Sequence, residues 1–488
     1  MPSARTLNYV LNRPRTDVTL DLFEAERYAA AVVVQSLVGT LVYYSNKGEY
    51  EPRLAESWER TSPMSWKITL KKGLNCENGE EITPRSFAAS LGRMIWSISQ
   101  RNPIPVLRKL KGYDEFIREE EEGLKGLSFD EAHLYFEFET PVRSGFLEVL
   151  SFSPFGYIST ENLTEDFKAW KNPSKFISSG PYQLDLFEMG KRIALKRNPK
   201  WTLPFEESAP DQIEFTFEIP KDRQTGHWIV DSALGDLRPP TWLKSFNLVP
   251  EYLNAILLGN LSKGYFSRAE NRSAFKEHID QARLNLPKNF GSHFRSNSFY
   301  LKLEETNKPA KAILKRPTKN STPLIIEGRP PANGTSRFYA WQVLKSALER
   351  AHLSYEFNDN ESSFEQISNQ SFDLRMGSTS IGHGVEPWGI EIIFCSDLGI
   401  KLPDPSKRIA SLVNQFENGE MDLEEFKKIF FNQIREDSAI LPVSHFGVQL
   451  FLSDSIYRKS LSPRLSIIRF DQLGLVEIGF NDGNKIEG

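Results

Sequence analysis

The chain has 488 residues, more than a single hydrophobic core usually serves, so two or three compact units are expected. Its 60 basic and 64 acidic side chains give a formal charge of -4, which argues against a nucleic-acid protein, a class marked by a basic excess or stripe. No stretch reaches the ~20 apolar residues of a membrane span; AAAVVVQSLVGTLVYY (29–44) is shorter and is interrupted by Gln35 and Ser36.

The opening MPSARTLNYVLN has no apolar leader core. The expectation is therefore either a cytoplasmic protein or a chain whose leader has been removed. TLNYVLN (6–12) reads as a strand, and residues 25–42 read as a helix. SWKITLKKG (65–73) alternates Trp66, Ile68 and Leu70 on one face, the period of a half-buried strand. NGEEIT (78–83) is a turn. The helix after it opens on Thr83 as cap and Pro84 at its first position, both favoured there. The acidic run REEEEG (118–123) reads as a solvated helix end without a function. LYFEFE (134–139), RIALKRN (192–198) and QIEFTFEIP (212–220) alternate again as strands, while 225–300 has no clear period.

PLIIEG (323–328), a helix over 336–351 with Trp341, Leu344 and Leu348 on one face, and LSYEF (353–357) form a strand–helix–strand unit, a mark of α/β architecture. Helices over 406–418 and 422–436 are split at Asn418-Gly419, and ILPVSHFGVQLFL (440–452) reads as a return to strand. Strands at both ends and in the middle point to a domain built from discontinuous segments.

The chain has no GxSxG, HExxH, GxxxxGK[ST] or GxGxxG pattern. Cys76 and Cys395 lie far apart and outside any CxxC, so two separate thiols are expected and no thiolate zinc site. Six of the seven histidines (133, 227, 278, 293, 352 and 445) read as surface or strand residues without a role. His383 stands apart in GHGVEPWG (382–389), between two glycines and followed by Glu386, Pro387 and Trp388. From the residues alone this stretch is a ligand-contacting loop or a turn. A hydrolase built on His383 and Glu386 lacks a nucleophile and a third orienting group, so no enzyme is expected.

Four stretches in order carry a family likeness: SLVGTLVYYSNKGEYEPRLAESWE (36–59), WKITLKKGLNCENGEEITPRSFAASLGRM (66–94), FISSGPYQLDLFEMGKRIALKRNPKW (176–201) and FDLRMGSTSIGHGVEPWGIEIIF (372–394). The third is the most specific, with Ser179-Gly180-Pro181-Tyr182 and Arg197-Asn198-Pro199. Together the chain resembles the large solute-binding proteins of bacterial ABC importers, the oligopeptide-, dipeptide- and nickel-binding family, as a diverged member.

The resemblance implies an α/β, two-lobed periplasmic-binding-protein-like fold with an extra inserted subdomain and discontinuous lobes. Lobe I would take 1–43, 166–248 and 448–488, the inserted subdomain 44–165, and lobe II 249–447. It implies a monomer outside the cytoplasm, with a small-molecule or peptide ligand and a membrane ABC permease as partners, no nucleic acid and no cofactor or metal. The alternative is a sensor or interaction protein that keeps the fold without transport. Ligand contacts would come from Arg27 and Tyr28 in the first lobe and from Arg375, Thr379, Ser380, His383 and Trp388 in the second. In peptide-binding members an aspartate precedes the acid-Pro pair by three residues and meets the peptide's amine. Here that place falls on His383 or Gly382, so the expected ligand lacks a free amine at this point.

Overall fold

The computed structural model describes residues 5–11, 18–22, 28–45, 49–100, 104–165, 169–172, 174–222, 224–231, 240–247, 252–287, 289–290, 293–296, 322–331, 337–358, 372–380, 390, 404, 406, 408–447, 449–461 and 468–476. The architecture is mixed α/β and two-lobed. A first sheet has seven strands in the order Lys244–Asn247, Gln449–Leu452, His227–Asp231, Thr6–Leu11, Gln212–Thr216, Arg192–Arg197 and Tyr182–Glu188. A second has seven in the order Asn289–Phe290, His293–Arg295, Ile440–Phe446, Tyr252–Leu258, Leu374–Ser380, Leu324–Glu327 and Tyr355–Asn358. A four-stranded sheet, Ala55–Ser62, Ser65–Leu70, His133–Glu137 and Leu127–Phe129, is antiparallel throughout. The chain passes from the first large sheet to the second between Asn247 and Tyr252, and back between Phe446 and Gln449.

The local signals read from the sequence explain most elements. Trp66, Ile68 and Leu70 are buried on one face of Ser65–Leu70. The helix Pro84–Ser99 starts in a reciprocal cap: Thr83 Oγ1 accepts from the Ser86 N–H, and Ser86 Oγ accepts from the Thr83 N–H. Gly419, at φ 82°, turns the chain between helices Ile409–Glu417 and Leu423–Asp437.

Three expectations are corrected. Among the described residues of the helix read over 25–42, only Tyr28–Val34 is helical, and Val42–Tyr44 is a strand. Three consecutive valines give weak helix propensity, and the backbone of Ser36 and Leu37 is instead taken by Ser179, Gly180 and Tyr182. The run 440–452 is two strands in different sheets, Ile440–Phe446 and Gln449–Leu452. His278 is neither on the surface nor in a strand; it is buried on helix Ala269–Arg283, where burial pushes its pKa down.

The first core runs without a break from the first sheet (Leu7, Tyr9, Phe215) into the small sheet (Ile68, Leu134, Phe136). The small sheet is therefore welded to its neighbour through shared apolar packing. The second sheet is covered on both faces. Along Tyr252–Leu258, Ile256 and Leu258 face helices Ala269–Arg283 and Phe338–Ala351, while Leu253, Ala255 and Leu257 face the helices at 409–437. A strand buried on both faces loses the apolar–polar alternation that marks a half-buried one. That is why residues 252–258 carry no clear alternation.

Glu77, in the CENG turn, supplies a pH prediction. Its N–H donates to the Ser178 carbonyl at 2.9 Å, and its Oε2 is buried without a hydrogen bond. Burial raises the carboxyl from an ordinary 4.5 to about 7, against a Ser178 N–H and the Lys196 charge. The folded state thus holds this proton up to about pH 7, while the unfolded chain releases it near 4.5. The contribution to stability is full below the lower value and is lost as pH rises to the higher. Glu77→Gln is expected to be more stable than the wild type by about 1–3 kcal/mol at pH 8 and equal to it at pH 4. Urea midpoints at the two pH values check this; a pH-independent difference would remove the buried-acid explanation.

Candidate functional site

The most specific sequence motif proves to be a knot of the first lobe. Ser179 and Gly180 donate their N–H groups to the Leu37 carbonyl at 3.1 and 3.0 Å, and Tyr182 donates to Ser36 at 3.0 Å. Ser179 Oγ accepts from the Gly39 N–H at 2.9 Å and donates to the Tyr157 carbonyl at 2.6 Å. Asn198 closes the motif: its Nδ2 donates to the Gly180 carbonyl and its N–H to the Pro181 carbonyl, at 2.9 and 2.8 Å. Tyr182 OH donates toward the Pro210 and Phe470 carbonyls, tying in the end of the chain. Every one of these groups is buried and satisfied, so the motif is structural and offers a ligand nothing.

The expected contact residues are only partly visible. Arg27, His383 and Trp388 lie outside the described residues, as do Glu386 and the rest of GHGVEPWG. Tyr28 opens its helix, and Thr379 and Ser380 end the strand Leu374–Ser380 opposite Leu253 and Tyr252. Residues 382–389 therefore follow in sequence just beyond the end of a central strand.

Arg375 sits on that strand, directly across from Glu327 of the parallel neighbour. Its Nη1 is 3.3 Å from Glu327 Oε2, with the side chains 11% and 7% exposed. Burial lowers the arginine's pKa, and Glu327 opposes that shift. The guanidinium is thus committed to an internal ion pair. Nearby, Asp373 Oδ2 accepts from the Ile325 N–H at 2.9 Å, which fixes the start of the strand. Among the described residues no group of three His, Cys, Asp or Glu side chains is arranged to hold a metal ion. Cys76 is a free, buried thiol whose pKa is pushed up, first by burial.

One contact that the sequence reading missed bridges the first core and the second lobe. Glu417 ends helix Ile409–Glu417 and is 4% exposed. A carboxylate at a helix C-terminus faces the negative end of the dipole and needs donors. They come from the segment between Val142 and Phe146 of the first core: Arg143 N–H at 2.5 Å, Ser144 N–H at 3.3 Å, and the Ser144 hydroxyl. Arg143 also donates from Nη1 to the Met421 carbonyl at 2.9 Å and lies over the Phe416 ring at 4.5 Å. An acid in the last helical turn before Asn418-Gly419 was the available signal.

Residues 49–226 match the family model "Bacterial extracellular solute-binding proteins, family 5 Middle". The matched segment is less than half of the chain. Solved structures similar to this chain include the Escherichia coli murein tripeptide binding protein MppA, at 14% identity over 98% of this chain and 99% of that one, TM-score 0.68. A periplasmic oligopeptide-binding protein of Borrelia burgdorferi, OppAIV, is 15% identical over 97% and 100%, TM-score 0.70. NikA from Brucella suis, solved with Fe(III)-EDTA, is 15% identical over 96% and 99%, TM-score 0.69. Among curated proteins no sequence matches. At these identities the likenesses establish the fold alone, along nearly the whole chain. No described helix is long and apolar enough to cross a membrane.

Proposed function

We propose that the chain captures a small solute or peptide-like ligand between its two lobes and delivers it, as a monomer outside the cytoplasm, to an ABC-type permease. The division into 1–43, 166–248 and 448–488 for lobe I, 44–165 for the insertion and 249–447 for lobe II belongs to this reading. What carries it is the pairing of two chain crossings with a separate clasp. Two sheets between which the described chain crosses at 247–252 and 446–449 can hinge, and Glu417 with Arg143 and Ser144 supplies a polar contact that a hinge motion makes or breaks. Arg27, Tyr28, Thr379, Ser380, His383 and Trp388 are assigned to the ligand, while Arg375 holds the strand beneath them. No covalent chemistry is required of any of them. With His383 in place of a carboxylate, the preferred ligand is blocked, neutral or acidic at that position, because burying an unpaired ammonium costs several kcal/mol.

Native mass spectrometry of gently purified protein, followed by calorimetry with the released ligand, tests the reading. Small-angle scattering is expected to show compaction on binding. Glu417→Ala is expected to leave the fold intact, expand the unliganded protein and weaken the ligand about tenfold, which is 1.4 kcal/mol of closure energy. Calorimetry with matched free and N-acetylated peptides tests the amine argument. A preference for free amines that survives His383→Ala but disappears in Glu386→Gln would give the role to Glu386. Absence of any ligand-induced compaction would refute closure itself.

A further inference from the structure

Behind the first sheet lies a polar cluster with too many donors. Arg53 is 4% exposed, and neither its Nε nor its Nη2 has a hydrogen-bond partner. Its Cζ lies 5.2 Å from the centroid of the Trp201 ring, and the Trp201 Nε1 is also buried without a partner. Arg53 Nη2 approaches Asp471 Oδ2 only to 3.5 Å. The aspartate is already occupied: Arg469 donates to it from Nε and Nη2, and Gln472 from its amide. Arg469 lies in turn over the Tyr43 ring at 4.5 Å.

The inventory is one-sided. Arginine and the indole N–H are donors only, so no rearrangement among them satisfies another. Among the described residues Asp471 is the one carboxylate within ion-pair distance of either guanidinium, so the direct contacts set two positive charges against one negative; Glu51 lies further out, on the Tyr43 hydroxyl at 2.6 Å, and Arg469 keeps 14% of its side chain exposed, so the surplus falls on Arg53. A buried unpaired charge costs several kcal/mol, and arginine does not relieve it by losing its proton. Burial first, and then the Arg469 charge, push the Arg53 pKa down, with Asp471 opposing. A buried water would accept one hydrogen bond but neutralise nothing.

We propose that Arg53, with Trp201 and Arg469, holds one small monovalent anion of chloride size inside the first lobe. Its charge balances the surplus, and its acceptor capacity meets the orphaned donors. The site is independent of the interlobe cleft and of any transported solute.

The test compares thermal melts in sodium chloride and sodium gluconate at equal ionic strength, with chloride-35 line widths measured on the same samples. The expected result is a saturable rise in melting temperature with chloride and a broadened chloride line that bromide narrows by competition. Both effects disappear in Arg53→Gln. Coincident melts together with an unbroadened line in the wild type would overturn the site. So would broadening that persists in Arg53→Gln, since that is surface binding only. If Arg53→Gln does not fold, Trp201→Phe, which removes only the orphaned indole donor, takes its place: broadening weakened in that variant supports the site, and broadening unchanged from the wild type overturns it.

Discussion

Gly180→Ala is expected to destabilise the first lobe by about 3 kcal/mol, the upper range for forcing extra atoms into a packed interior. A methyl at this position would lie 2.6 Å from the Ser36 carbonyl oxygen, 2.7 Å from the Leu37 carbonyl carbon and 2.7 Å from the Val38 nitrogen. All three are backbone atoms, so no side chain can swing aside. They also belong to the segment whose carbonyls receive Ser179, Gly180 and Tyr182, and a shift would break those bonds together. Gly123→Ala is the control, because nothing lies within 4 Å of its added carbon. Urea denaturation should separate the two variants clearly. Equal midpoints would mean that the close approach is not sustained in solution and that the motif is kept for another reason.

The second large effect concerns Arg375 and Glu327. Removing either partner strands a charge in a site where the side chains are 11% and 7% exposed. Arg375→Met alone and Glu327→Leu alone are each expected to cost about 3–5 kcal/mol, whereas the double variant Arg375→Met/Glu327→Leu should be near neutral or more stable than either. A double-mutant cycle read by thermal melts measures the coupling. The competing role, a direct ligand contact, makes the opposite forecast. Arg375→Met would then keep wild-type stability and lose affinity in calorimetry. The cross-strand register and the 3.3 Å approach favour the internal pair.

The family likeness was legible because its motifs are local and their order is preserved. Yet the residues that made it legible are packing residues. Gly180, Pro181, Tyr182 and Asn198 lock two distant segments, and they say little about the ligand. The stretch that raised the functional question, GHGVEPWG, lies outside the described residues, so its role rests on the proposal above. Glu417 was equally visible as a letter in the sequence. What made it informative was finding Arg143 and Ser144 against it, 274 and 273 residues away.

By itself the sequence determined the period of the half-buried strands, the Thr83 cap, the Asn418-Gly419 break and the paired strands around helix Phe338–Ala351. Each of these follows from residues within a few positions of one another, where alternation, capping and turn chemistry act. Tertiary structure alone decided which strands share a sheet, where 440–452 divides, and how far the first helix extends. It alone decided that Arg375 meets Glu327 and that Arg53 meets Asp471. Periodicity records how much of a side chain is buried, but a buried face is satisfied by any complementary surface. Which surface it meets depends on contacts that span hundreds of residues and on charges that find their partners only when the chain has closed.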